Sequence, residues 1–413
     1  MMDRRVVITG FGVVTPIGIG KDAFWEAAKA GQSGVGRPTL ADNPDLPVHV
    51  AGEVKDFDPL VAMNKKLVVR TDRNTQFAFV ACQEALADAG LDIANEDKSR
   101  VGIVLASNYG GLSYYLDNLV RLHQKGPSFV SAYMAIAWIP SAPVGQLSIF
   151  YGTTGYSKTI VNDSTGGTDA MGVAYRAIRT GEADVILTGG FEAALAEAAI
   201  AGLSNHHEIC KDADDPATAF RPFDSNRNGI VVAEGGALFV FEEYERAKAR
   251  GATIYAEVAG FAQTNDAYDL HHFEPSGEQY ARAMRLALGV GGLTAADVSY
   301  INADGRATVE GDRTEALAIR ALLGDRADEV PVSAPKSMVG NSLAGAGAVD
   351  AAFATLAVRD GIIPPTINVT QQDPECKINL ATAARSDGPV DVAVIGTRAT
   401  GGANSALVLR RVG

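Results

Sequence analysis

The chain has 413 residues, 36 Lys and Arg against 49 Asp and Glu, and a formal charge of −13, with 47% hydrophobic and 21% charged residues. This composition is globular rather than disordered, and the length exceeds the roughly 250–300 residues over which one core grows, so two core-forming halves are expected. The acidic balance argues against nucleic acid as a partner. No run of about 18 apolar residues occurs, which leaves no membrane-spanning helix.

The N-terminal Met-Met-Asp-Arg-Arg leads straight into the apolar Val6-Val7-Ile8 without the core of a signal peptide, so a cytoplasmic location is the expectation. Residues 4–20 read as a strand running into a Gly-rich turn. The glycines at 10, 12, 18 and 20 miss the dinucleotide spacing, because Thr15 stands where the third glycine belongs. Tyr244 and Lys248 have the spacing of an oxidoreductase pair, but they sit in an amphipathic helical pattern and carry no such assignment. Lys65, Lys66, Arg70 and Arg73 read as a solvated helix face. Cys82, Cys210 and Cys376 are far apart, form no CxxC pair and lack metal spacing, so neither a metal nor a cofactor is expected. Cys82 lies in an apolar helical stretch and reads as a core thiol.

Helical periodicity is expected at 21–30, 75–89 and 112–124, and strands at 101–106, 183–188 and 236–242. A second half begins near 254: strand 254–260, helix 279–289, strand 298–303, helix 310–323, a small-residue helix at 344–359, and strands 392–396 and 405–410. No linker separates 1–253 from 254–413, so two βαβ-rich halves sharing one body imply a duplicated α/β fold. The first half centres on 159–190. An apolar run ending at Val161 reads as a buried strand, the turn Asn162-Asp163-Ser164-Thr165-Gly166-Gly167 follows, and then a helix with Met171, Val173, Ala174, Ala177 and Ile178 on its apolar face. Such a turn presents Ser164 at a helix N-terminus, where a nucleophile would stand. No histidine is near it in sequence.

Several stretches, in order, resemble the β-ketoacyl synthase family of the thiolase fold: RRVVITGFGVVTPIG, GEADVILTGGFEAAL, Ala219-Phe220-Arg221-Pro222-Phe223-Asp224 with AEGGALFVFEE, Ile301-Asn302-Ala303-Asp304-Gly305, Pro335-Lys336-Ser337-Met338-Val339-Gly340, Pro364-Pro365-Thr366-Ile367-Asn368 and Gly401-Gly402-Ala403-Asn404. The resemblance implies a five-layer αβαβα fold with buried central helices. It also implies a catalytic cysteine at a helix N-terminus and two histidines that polarise a malonyl thioester. All three positions differ here. Ser164 stands for the cysteine, Asp304 for the first histidine and Asn341 for the second, while Lys336 and the acidic Asp350 are retained. Thr400 takes the place of the phenylalanine that gates the pocket. Serine lacks a base, Asp304 brings negative charge where an enolate needs the opposite, and losing one oxyanion donor alone costs roughly 2.7–4 kcal/mol. The site is read as non-condensing, with Ser164 reduced to a small polar residue bonding nearby backbone N–H groups.

Within the family, the chain resembles the chain length factors of type II polyketide synthases, the ketosynthase β subunits. These pair with an active ketosynthase in a heterodimer that meets an acyl carrier protein. Such factors in aromatic systems usually carry glutamine at the position of Ser164, so an aromatic or a polyene product is left open. The resemblance further assigns Leu112, Tyr115 and Leu119, at i, i+3 and i+7 on one helix face, to the end of a chain-length tunnel. Residues 129–146, with Phe129, Met134 and Trp138, are expected at the subunit interface. The competing expectation is an acyltransferase or malonyl-carrier decarboxylase that uses Ser164.

Overall fold

The computed structural model describes residues 4–41, 43–206 and 208–413. In the first half the chain forms β1 (Val6–Thr15), α1 (Arg73–Ala89), β2 (Val101–Ala106), α2 (Leu112–Lys125), β3 (Ser157–Ile160), α3 (Gly166–Arg179), β4 (Val185–Glu192), α4 (Glu197–Leu203) and β5 (Gly235–Glu243). The second half follows with β6 (Ala256–Asn265), α5 (Glu278–Val290), β7 (Tyr300–Asn302), α6 (Val309–Leu323), β8 (Pro331–Ser333), α7 (Ala346–Asp360), β9 (Asn379–Leu380), β10 (Val392–Ala399) and β11 (Ala403–Arg410).

Duplication is visible in the pairing. Outward from β1 the order is β5, β4, β2, β3; outward from β6 it is β11, β10, β7, β8. In each half the two inner pairings are antiparallel and the two outer ones parallel. The halves meet where β1 pairs with β6 over three residues, Val6 opposite Val258 to Ile8 opposite Ala256. Helix α1 covers the outer face of the first half, with Phe77, Ala81 and Ala85 against Leu105, Leu187 and Val240. Helices α5 and α6 cover the outer face of the second. Between the two sheet faces lie α3 and α7, giving the five-layer thiolase-like arrangement expected. Helix α7 is buried continuously from Ala346 to Val358, as a helix must be when it is apolar on every side.

Two glycine contacts make this layering possible. A Cβ on Gly12 would stand 2.2 Å from the Ala81 carbonyl oxygen of α1. Of the four glycines of the expected Gly-rich turn, Gly10 and Gly12 therefore lie inside β1, where they admit the helix backbone, and Gly18 and Gly20 follow it. A Cβ on Gly167 would stand 2.7 Å from the Ala348 nitrogen, at the crossing of α3 and α7. Gly167→Ala is expected to cost about 1–3 kcal/mol by overpacking, read as a lowered urea midpoint. An unchanged midpoint would show that the two central helices can part without cost.

Two expectations are corrected. Strand β3 is an edge strand, not a buried one: Ser157 and Lys158 are exposed and Val161 beyond it is 60% exposed. The basic residues at 65–73 do not form one solvated face. Arg73 holds the buried Glu234 at 2.7 Å and the Val54 carbonyl at 2.8 Å. Arg70 lies over the Tyr133 ring at 4.7 Å, and only Lys65 and Lys66 of the four are exposed. Cys82, Cys210 and Cys376 are buried and free. Among the described residues no helix is long and apolar enough to cross a membrane.

Candidate functional site

The turn after β3 is pinned by Asp169, an acid in the first turn of α3, where the helix dipole favours negative charge. Its carboxylate accepts the Asn162 amide at 2.5 Å, the Thr165 hydroxyl at 3.0 Å and the Ser405 hydroxyl of β11. Ser164 sits in the single 3₁₀ turn Asp163–Thr165 that precedes the helix, and it is buried. Its hydroxyl donates to Asn341 Oδ1 at 3.5 Å, the outer limit of a hydrogen bond. It caps no helix, contrary to the expectation that it bonds backbone N–H groups. Asn341 Oδ1 is held in place by the Leu343 N–H at 2.8 Å. The pair is therefore neutral, and an amide oxygen cannot take the serine proton as a base would.

Asp304 is bonded to other partners than Ser164. The Asp304 and Gly305 backbone N–H groups donate to Glu315 at 2.7 and 2.8 Å, which turns the end of β7 toward α6. The Asp304 carboxylate meets Lys336 Nζ at 3.2 Å and Arg398 Nε at 3.6 Å, and Lys336 also reaches Asp350 at 2.9 Å. All of these side chains are buried. Burial works against ionisation of Asp304, but Lys336, Arg398 and Arg306 outweigh it and hold the group below the ordinary carboxylate range. At Lys336 burial is likewise outweighed, by Asp350 and Asp304, and the ammonium is held above its usual range. Asp350 follows its burial and is pushed up to about 7. The charge expected to repel an enolate is thus consumed in an ion cluster beneath the site.

A cavity of about 470 Å³ opens above Ser164. Asn341, Asp163 and Thr400 line it with Ser164, whereas Asp304 and Lys336 do not. Thr400 is exposed, and its backbone N–H donates to Asp163 Oδ2 at 2.9 Å. Among the further lining residues not singled out in the sequence are Arg306 and Glu208, paired at 2.9 Å, and the histidines His206 and His271. Arg306 lies two residues beyond Asp304. The doublets at 206–207 and 271–272 were the visible signal for the histidines, although His207 lies outside the described residues. Nothing in their spacing places them in the Ser164 cavity, because their loops are joined only by the fold.

A second cavity of about 550 Å³ lies between α2 and α4. It shares Tyr109, Leu203 and His206 with the first, so the two are contiguous. Leu112 lines it. Leu116, one helical turn on, also lines it and was not singled out in sequence. Tyr115 is stacked on Trp138 with ring centroids 4.6 Å apart, and neither Tyr115 nor Leu119 lines this cavity. Only Asn118 of α2 is buried, so these residues are not core in the isolated chain. Met134 is half-buried, and Phe129 and Trp138 are exposed.

The profile "Beta-ketoacyl synthase, N-terminal domain" matches residues 3–247, and "Beta-ketoacyl synthase, C-terminal domain" matches residues 255–370. The chain is 38% identical over 409 residues to a 3-oxoacyl-[acyl-carrier-protein] synthase 2 of Staphylococcus aureus (strain N315), covering 99% of both chains. It superposes on a chain of the ishigamide ketosynthase/chain length factor with a TM-score of 0.92 at 30% identity, covering 100% of each. A chain from a type II PKS acyl-carrier protein in complex with its ketosynthase gives 0.91 at 30% identity, again over 100% of each. With both profiles matched along one duplicated fold, the chain belongs to the beta-ketoacyl synthase family.

Proposed function

We propose that this chain is a non-condensing ketosynthase-like subunit, a chain length factor, that pairs with an active ketosynthase and shapes the cavity receiving the growing chain. The observation that carries this reading is the combination at one site. The Ser164–Asn341 pair has no base, Asp304 is locked to Lys336 and Arg398, and yet the two joined cavities remain open. An enzyme position without chemistry but with a lined path is suited to holding a chain that another subunit extends.

An exposed apolar surface supports the pairing. Ile149 is 79% exposed, and Phe129, Ile136, Trp138, Phe150 and Val161 are also exposed. Ile149 and Phe150 lie on the helix Ala142–Tyr151, which contacts β3, and among the described residues the outer edge of β3 has no partner strand. Solvent-facing apolar clusters of this kind, beside an open strand edge, mark an interaction face. The acyl carrier protein then meets the complex through the active subunit, since an acidic chain of charge −13 repels an acidic carrier.

Co-expression with a ketosynthase that keeps its cysteine and two histidines is expected to give a one-to-one complex in native mass spectrometry. Leu112→Trp and Leu116→Trp, which fill the second cavity, are expected to shorten the product, whereas Ser164→Ala leaves product length and turnover unchanged. Unaltered length in both tryptophan variants would sink the tunnel assignment.

A second reading has one observation in its favour: His206 and His271 line the same cavity as Ser164. If Ser164 is acylated by transfer, intact-mass measurement after incubation with acyl-carrier substrates shows an adduct that Ser164→Ala abolishes. Decarboxylation of malonyl-carrier by the chain alone would favour the same reading.

A further inference from the structure

Asp163 is the member of the turn that the loss of condensation chemistry does not explain. It adopts φ 45°, in the left-handed region, where Asp and Asn are the best tolerated non-glycine residues. The conformation brings its carboxylate across the mouth of the Ser164 cavity to the Thr400 backbone N–H, 2.9 Å away. A backbone donor at such a position would otherwise be open to the oxygen of an acyl ligand. Here an internal carboxylate holds it.

The other charges at the cavity do not cancel Asp163. Arg306 pairs with Glu208 at 2.9 Å and is shared electrostatically with Asp304 and Asp163, so this one guanidinium is outnumbered by the two carboxylates of the lining, Asp163 and Glu208. The remaining ionisable lining consists of Tyr109 and the two histidines, His206 and His271. The field of Asp163 is felt by its surroundings: after burial, it is the next cause that pushes the Tyr109 hydroxyl up, and it adds to the rise of the buried Glu192. The rest of the wall is mostly apolar, with Val161, Leu203, Ile230, Val232 and Leu343. An apolar wall with one carboxylate at its mouth is selective by sign.

We infer that Asp163 sets the ligand class of this cavity: uncharged acyl chains enter, and ligands ending in a carboxylate, such as the half-thioester of a dicarboxylic acid, are repelled. The inference rests on the proposed function only in taking the cavity as a place that holds an acyl chain. Its consequence is a subunit that accommodates the elongated product without sequestering the carboxylated extender.

The charge rule can be read on the full-length chain alone, so its failure is distinct from a failure of ketosynthase pairing. Ser164→Cys puts a thiol into the cavity, to be modified with neutral, cationic and anionic methanethiosulfonates. The thiolate forms a disulfide and a sulfinate leaves. Peptide mass spectrometry follows position 164 separately from the buried Cys82, Cys210 and Cys376. After normalisation to a free cysteine, the neutral and cationic reagents are expected to react at least roughly tenfold faster than the anionic one. Adding Asp163→Asn, which keeps tolerance of the left-handed conformation, is expected to lower that ratio several-fold. Asp163→Gly suits the same φ without a carboxylate and provides an independent second variant with the same expected shift. A ratio unaffected by both substitutions overturns the inference, and so does a thiol that the neutral reagent cannot reach.

Discussion

Replacing Lys336 by methionine is expected to destabilise the protein by about 3–5 kcal/mol, the range for removing one partner from a buried ion pair. Methionine preserves most of the aliphatic stem, so the loss is chiefly electrostatic. Lys336 Nζ lies 2.9 Å from Asp350 and 3.2 Å from Asp304, and all three side chains are buried. Without the ammonium, two carboxylates face each other in a dry interior. Arg398, 3.6 Å from Asp304, is left as the nearest counter-charge of that acid. The double variant Lys336→Met/Asp350→Asn is expected to recover much of the loss, because it removes the acid that burial already pushes up to about 7. Denaturant midpoints at constant slope measure both. A single variant within about 0.5 kcal/mol of the parent would mean that the cluster contributes no more than an ordinary surface position.

Glu192→Gln is expected to flatten the dependence of stability on pH between pH 5 and 8.5. Glu192 closes β4, is fully buried, and accepts the backbone N–H groups of Asn108 at 2.9 Å and Tyr109 at 3.4 Å. Burial pushes its carboxyl up from 4.5 to about 8, with Asp72 and Asp163 adding to the rise against the two N–H bonds. Between those values the folded protein retains a proton that the unfolded chain has released. Stability therefore falls as the pH rises through that window. At 1.36 kcal/mol per unit, the parent loses on the order of 3–5 kcal/mol through this one group. Glutamine cannot ionise and keeps an acceptor for Asn108, so its profile lies above the parent at the alkaline end and below or level with it near pH 5. Parallel profiles for the two proteins would show that Glu192 does not titrate in this window. The residue also positions Tyr109, which lines both cavities.

Much of the fold is legible in the chain because its cause is local. The helix expected at 310–323 appears as Val309–Leu323, capped by the Thr308 side chain on the Gly311 N–H. The strand 101–106 appears with the same bounds, buried throughout. The small-residue run at 344–359 becomes the central helix because alanine and glycine allow close approach on every side. By contrast, the apolar run ending at Val161 has the pattern of a buried strand, and it lies on a sheet edge. Hydrophobic pattern reports that a surface must be covered, and it does not say whether the same chain or another one covers it.

The candidate site divides in the same way. Ser164, Asp304, Asn341 and Thr400 stand out as altered positions, and Lys336 as a retained one, from motifs whose residues are contiguous. Their meaning depends on residues far from them along the chain. Arg398 of β10 turns Asp304 into part of an ion cluster, and Asp163 occupies the Thr400 backbone donor from the other half. Leu116 and His206 join the path only because the fold sets α2 and the end of α4 on opposite sides of one cavity. The sequence by itself determined the duplicated α/β architecture, its family and the identities of Ser164, Asp304 and Asn341 in the family's motifs, since each is written in periodicity or in residue identity. Tertiary structure alone decided where each remaining charge is spent and which side chains line open space. Electrostatic pairing and cavity walls are set by distance in space, and neither quantity is encoded in the spacing along the chain.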